Sequence, residues 1–193
     1  PPAVTRHIQA APGAAPVFPK SRTLARFNDL HTANRFTSAC STMIYRDNLL
    51  VEDFYAHFFV CAPFHNLFHR EPITADGVTF RAERAADEKE SEFLASSDNW
   101  FRPSMVRTGP DGAIWISDMY RFVIEHPTWI PQVWQKKLDL RAGEDKGRIY
   151  RVYREKVKPR KIDNLEGFDT AELVAMLQSP NGFQRDLAQQ MLC

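Results

Sequence analysis

Residues 98–121 constrain the fold more than any other stretch. Asp98-Asn99-Trp100-Phe101-Arg102-Pro103 leads into residues 104–108. The tetrad Gly109-Pro110-Asp111-Gly112 follows, and residues 113–119 run on to Tyr120 and Arg121. Both runs suit strands. Pro and Gly stand where a tight turn wants a fixed φ and a tolerant one. The stretch therefore reads as strand, turn, strand, with arginines, an aspartate and aromatics at the open end. Such a hairpin is the unit from which propeller blades are built.

The same rhythm occurs once before. Residues 36–45, 57–62, 67–73 and 78–82 each suit a strand. Turns are expected at residues 46–48, 63–66 and 75–77, the last around Asp76-Gly77. That is about one four-stranded blade. The acidic run Asp87-Glu88-Lys89-Glu90 breaks it, and the run through Glu92 reads as a solvated link. A second blade then takes residues 104–108 and 113–119, a long excursion over 120–146, and a strand at 147–153. The basic stretch Lys156–Lys161, beside Pro159, reads as a linker. Beyond it Asp169 or Thr170 can cap a helix over residues 171–177, and Ser179-Pro180-Asn181-Gly182 separates it from a second helix over 183–192.

The expected fold class is mainly β: about two four-stranded antiparallel blades of an incomplete β-propeller, then a short helical segment. Three parts follow. Residues 1–35 are an irregular lead-in, 36–158 a partial propeller, and 159–193 the start of a helical repeat. The chain opens Pro1-Pro2 and stops at Cys193 inside the second helix, and it reads as an excerpt of a longer protein.

Bulk numbers exclude some functions. The 193 residues are 44% hydrophobic, so a core is affordable and wholesale disorder is not expected. With 25 basic and 24 acidic residues, the +1 charge argues against nucleic acid as partner. No apolar run is long enough to span a membrane. Cys40 and Cys61 fall on neighbouring expected strands, where a disulfide and two buried thiols are both open. His65 and His69 on an extended chain stand too far apart to share a metal ion.

Four strings carry a resemblance: Asn34-Arg35-Phe36-Thr37-Ser38-Ala39-Cys40, His65-Asn66-Leu67-Phe68-His69-Arg70-Glu71, residues 98–121 with Glu125-His126-Pro127, and residues 173–192. They resemble the large secreted bacterial membrane-bound dehydrogenase proteins, also called PVC-type haem-binding Cys-x-x-Cys-His proteins. The resemblance implies a propeller of the soluble quinoprotein glucose dehydrogenase type, HEAT-like repeats and a c-type cytochrome domain. It also implies a secreted or periplasmic location. The haem-attachment motif is missing from this chain, so haem would belong to a C-terminal domain outside it.

In a blade, the loop entering the first strand and the loop joining the second to the third share one rim. His31 and Arg35, His65 and Asn66, Trp100 and Arg102, and Asp118, Arg121 and His126 would then face one mouth. The resemblance suggests pyrroloquinoline quinone there, with Arg35, Arg102 and Arg121 clamping its carboxylates. His65 or His126 would be the base that takes a hydroxyl proton, and Asp118 would orient it or hold Ca²⁺. The plain alternatives are an Arg102–Asp118 ion pair between blades, and core packing for Trp100, Phe101 and Trp115. Two functions follow. One is quinone-dependent oxidation of a sugar or alcohol. The other is a non-catalytic platform for polysaccharide or a partner protein, with Tyr120, Phe122, Trp129 and Trp134 stacking on sugar.

Overall fold

The computed structural model describes residues 16–21, 36, 38–50 and 54–193. The first expected strand shortens to β1, Cys40–Ile44. It pairs antiparallel with β2, Phe58–Ala62, whose last four residues are buried. Aromatic and β-branched side chains suit a strand covered on both faces. Residues 63–65 form a 3-10 turn, and Asn66 takes a left-handed φ of 58°. Asn tolerates this better than most residues do. The chain returns as β3, Leu67–Glu71, in register with β2.

Here the expected blade is corrected. β3 stops at Glu71 because Pro72 has no N–H to continue the ladder. β4, Ile73–Asp76, and β5, Thr79–Ala82, pair only with each other as a separate hairpin. Gly77, at φ +61°, makes its turn. The fourth strand of the first sheet is instead β6, Leu94–Ala95, which pairs with β3 in the order β1-β2-β3-β6.

The second hairpin forms as its sequence demands. β7, Pro103–Thr108, pairs with β8, Ile114–Asp118. Between them the Gly112 N–H donates to the Gly109 carbonyl at 3.0 Å and the Gly109 N–H to the Ala113 carbonyl at 2.8 Å. Gly112 lies at φ +87°, the left-handed step that follows such a turn. β9, Arg148–Val152, completes a three-stranded sheet in the order β7-β8-β9. The described residues are thus mainly β, in three antiparallel sheets with few helices.

The four-stranded and three-stranded sheets share one core. Met43, Tyr45, Phe59, Cys61 and Phe68 meet Val106, Ile114 and Ile116. Phe59 and Phe68 stack at 5.1 Å. The excursion carries only a 3-10 turn at Pro127–Trp129 and a four-residue helix, α1, Gln132–Gln135. Both cysteines of the first sheet are free thiols, although Cys40 and Cys61 are cross-strand partners.

The C-terminal pair is α2, Thr170–Met176, and α3, Gly182–Leu192. Asp169 caps α2 in a reciprocal box with Glu172, at 2.9 and 2.8 Å. Asn181 caps α3. Among the described residues, no helix is long and apolar enough to cross a membrane.

Candidate functional site

Three loops meet where the two large sheets adjoin. The Asn66 side-chain amide donates to the Asn99 carbonyl at 3.0 Å and to the Phe101 carbonyl at 2.5 Å. Its carbonyl accepts from the Ser21 hydroxyl at 2.6 Å. The turn of the first sheet is therefore fastened to the segment that enters β7. Arg102 joins the remaining loop. Its guanidinium donates to the carbonyls of Pro63 (2.9 Å), Phe64 (3.3 Å), Arg121 (2.8 Å) and Phe122 (2.9 Å).

That geometry corrects the role expected of Arg102. The residue is buried, and its fork is turned inward onto main-chain oxygens, so it is a fastener of loops and does not fit a quinone clamp. The expected Arg102–Asp118 ion pair is replaced by a different bond. Asp118 Oδ1 accepts the backbone N–H groups of Arg102 and Tyr120, both at 2.8 Å. Its Oδ2 lies 3.6 Å from Arg148 Nε, and the aspartate side chain itself has no solvent exposure. No group of three or more His, Cys, Asp and Glu side chains placed to hold a metal ion occurs among the described residues.

The other expected site residues divide. His65 is buried in the 3-10 turn, its ring edge-on to Phe64 at 4.7 Å. His126 is exposed, and its Nδ1 accepts the Thr128 N–H at 3.2 Å as the cap of the next turn. The two histidines are therefore a core group and a surface cap. Arg121 keeps Nη1 buried without a hydrogen-bond partner among the described residues, so it is the expected clamp that still offers a donor. Arg35 and His31 lie outside the described residues.

Beside this joint is a half-exposed aromatic cluster. Trp100 lies 5.7 Å from Tyr120 and 5.6 Å from Phe122. Tyr120 sits at φ 48°, a left-handed conformation rare for a bulky residue. Asp118 receives its N–H, and the Arg148 guanidinium covers its ring at 3.9 Å. The Asp98 carboxylate, bonded to the phenol, holds it above its ordinary pKa. Trp129 and Trp134 are exposed on the excursion that follows.

Two buried polar clusters escaped the sequence reading. His69 Nδ1 lies 2.6 Å from Glu92 Oε2, and its Nε2 3.2 Å from Glu71 Oε1. Glu92 also accepts from Arg84 at 3.1 Å and from the Phe18 N–H at 2.9 Å. Arg70 pairs with Asp87 and, at 2.8 Å, with Glu88. The acidic run is thus a solvated link only in part, since Asp87, Lys89 and Glu90 are exposed while Glu88 and Glu92 turn inward. Glu88 and Glu92 are drawn down over β3 as counter-ions, since a buried His-Arg pair demands them. The signal was present: His69-Arg70-Glu71 breaks off the apolar run that Leu67-Phe68 begins. The second cluster joins Asp47, Arg160 and Asn181, and Arg160 is therefore no mere linker residue.

A family model described as Domain of unknown function (DUF7133) matches residues 1–156, and the chain belongs to that family. No curated protein and no solved structure matches the chain.

Proposed function

We propose that this member of the family is a carbohydrate-binding platform, its ligand stacking on Trp100, Tyr120 and Phe122. The observation that carries this reading is the positioning of Tyr120. A strained φ of 48° is maintained by the Asp118 cap, and it sets the ring beside Trp100 under the Arg148 guanidinium. Aromatic faces bordered by hydrogen-bonding groups suit pyranose rings, which are apolar on their faces and polar at their edges. Exposed Trp129 and Trp134 would extend the surface. In this reading the four- and three-stranded sheets are successive propeller blades, and α2 and α3 begin a HEAT-like repeat. The parent would be a secreted or periplasmic protein of the dehydrogenase-like type. A glycan-array screen tests the proposal: saturable binding that Trp100→Ala and Tyr120→Ala remove supports it, and a blank array rejects it.

Arg121 favours a second reading, quinone-dependent oxidation of a sugar or alcohol in a longer parent with a c-type cytochrome domain. Its buried Nη1 could meet a cofactor carboxylate. Dye reduction by that parent with added pyrroloquinoline quinone and Ca²⁺, lost in Arg121→Ala, would support it. Absence of quinone binding would remove it.

A further inference from the structure

The three-stranded sheet ends at β9. β8 occupies one side of that strand, and no strand pairs with the other among the described residues. Alternate N–H and C=O groups of Arg148–Val152 therefore point outward without ladder partners. The strand is also exposed along its length: Ile149 is 67% accessible and Tyr150 39%. An open edge with accessible apolar side chains is a template for another strand.

The register sorts its side chains. Arg148, Tyr150 and Val152 stand opposite Asp118, Ile116 and Ile114, on the face toward the shared core. On that face a gap separates β9 from β6 of the neighbouring sheet. It is a cavity of about 270 Å³ lined by Leu94, Ala95, Phe101, Ile116, Tyr150 and Val152. A strand added beyond β9 would direct every second side chain over this gap.

Charge identifies the strand that fits. Arg148 and Arg151 face the buried carboxylates of Asp118 and Asp111. Arg154, Lys156 and Lys158, which follow directly, are exposed and form no ion pair among the described residues. The only acidic residue between them is Glu155. Parallel pairing of β9 with β9 of a second copy would bring two such basic stretches together, which like-charge repulsion disfavours.

We propose that β9 is the docking edge for an extended acidic segment of a partner protein. The segment adds as a fourth strand, sets one apolar side chain over the cavity between β6 and β9, and places its carboxylates near Arg154 and Lys158. Main-chain bonds supply affinity, and the cavity with the basic flank supplies specificity. This inference does not depend on the carbohydrate reading, whose aromatics lie on the loops before β7 and after β8.

The test uses a labelled nine-residue peptide with a central leucine and glutamates at both ends, titrated into the 193-residue chain. Saturable binding is expected, stronger at low salt, with new hydrogen-exchange protection at residues 149–152. The double variant Arg154→Glu, Lys158→Glu, on exposed side chains, is expected to weaken binding by about tenfold or more. Ala95→Trp, which fills the cavity, is expected to do the same. Peptide N-methylated at alternate amides should lose affinity in one of its two registers. No saturable binding would overturn the proposal. So would equal affinity for a lysine-ended peptide, indifference to N-methylation in both registers, or self-association through β9 that the acidic peptide fails to compete.

Discussion

Oδ1 of Asp47 lies 2.6 Å from Nη1 of Arg160, a residue 113 positions further along the chain. The aspartate side chain is wholly enclosed, and the arginine's is 30% exposed. The same carboxylate receives the Asn181 side-chain amide at 2.7 Å and the Leu49 N–H at 2.8 Å. Asn181 also donates to the Gly109 carbonyl at 2.8 Å, so one carboxylate ties together the end of β1, the β7–β8 turn and the cap of α3. Asp47→Ala strands a guanidinium and an amide, and is expected to cost about 3–5 kcal/mol. Urea unfolding of the variant checks this, and a loss within error of zero would contradict it.

Arg102 separates framework from cofactor roles. Arg102→Lys keeps the charge but cannot reach four carbonyls with a planar fork. Loss of roughly 1.5–3 kcal/mol is expected, since hydrogen bonds from a charged donor are being removed from a buried joint. Thermal unfolding measures it. An unchanged midpoint, with altered quinone binding, would restore the clamp.

The His69 cluster sets a pH dependence. Burial alone would lower the imidazole pKa, but the carboxylates of Glu71 and Glu92 reverse this and hold it above its ordinary value. Its stabilisation is full below about pH 6.5 and fades as pH rises through the raised value. Glu92 runs the other way. Burial opposes its charge, yet His69 and Arg84 keep its pKa low, so its contribution is present above about pH 4.5 and fades as pH falls. Stability from this cluster should therefore peak between those limits. Denaturant midpoints against pH test it, and His69→Gln should flatten the alkaline limb. An unaltered limb in that variant would show that another group is responsible.

The thiols should react in a fixed order. Burial pushes Cys61 up to about 12 and raises Cys40 as well, while Cys193 is exposed. Alkylation at pH 8 should label Cys193 first, Cys40 slowly, and Cys61 only on unfolding, because the thiolate is the nucleophile. Peptide mass spectrometry gives the order. Early labelling of Cys61 would mean that the first sheet opens readily.

Local chemistry made much of the fold legible. Gly109-Pro110-Asp111-Gly112 specifies its hairpin with little help from elsewhere, and Asp169 with Glu172 specifies the start of α2. The sequence also groups Asn66, Arg102 and Arg121, and side-chain bonds to main-chain carbonyls join their loops. What stayed hidden depends on distant partners. Pro72 stands in the sequence, but nothing local says that the chain after it leaves the sheet or that Leu94–Ala95 takes its place. Glu88 and Glu92 look like solvent residues until His69 and Arg70 are seen beneath them. The functions of arginines misled for the same reason. A guanidinium suits a ligand carboxylate and a backbone carbonyl equally well, and only coordinates tell which one Arg102 meets.

The Asp47 hub also governs how the molecule comes apart. Gly182 gives its N–H to the Arg46 carbonyl at 2.7 Å, next to the Asn181 and Arg160 attachments. The helical pair is thereby riveted to the loops that close both large sheets. Ellipticity at helix and strand wavelengths should accordingly vanish together on heating, in one concerted transition rather than two.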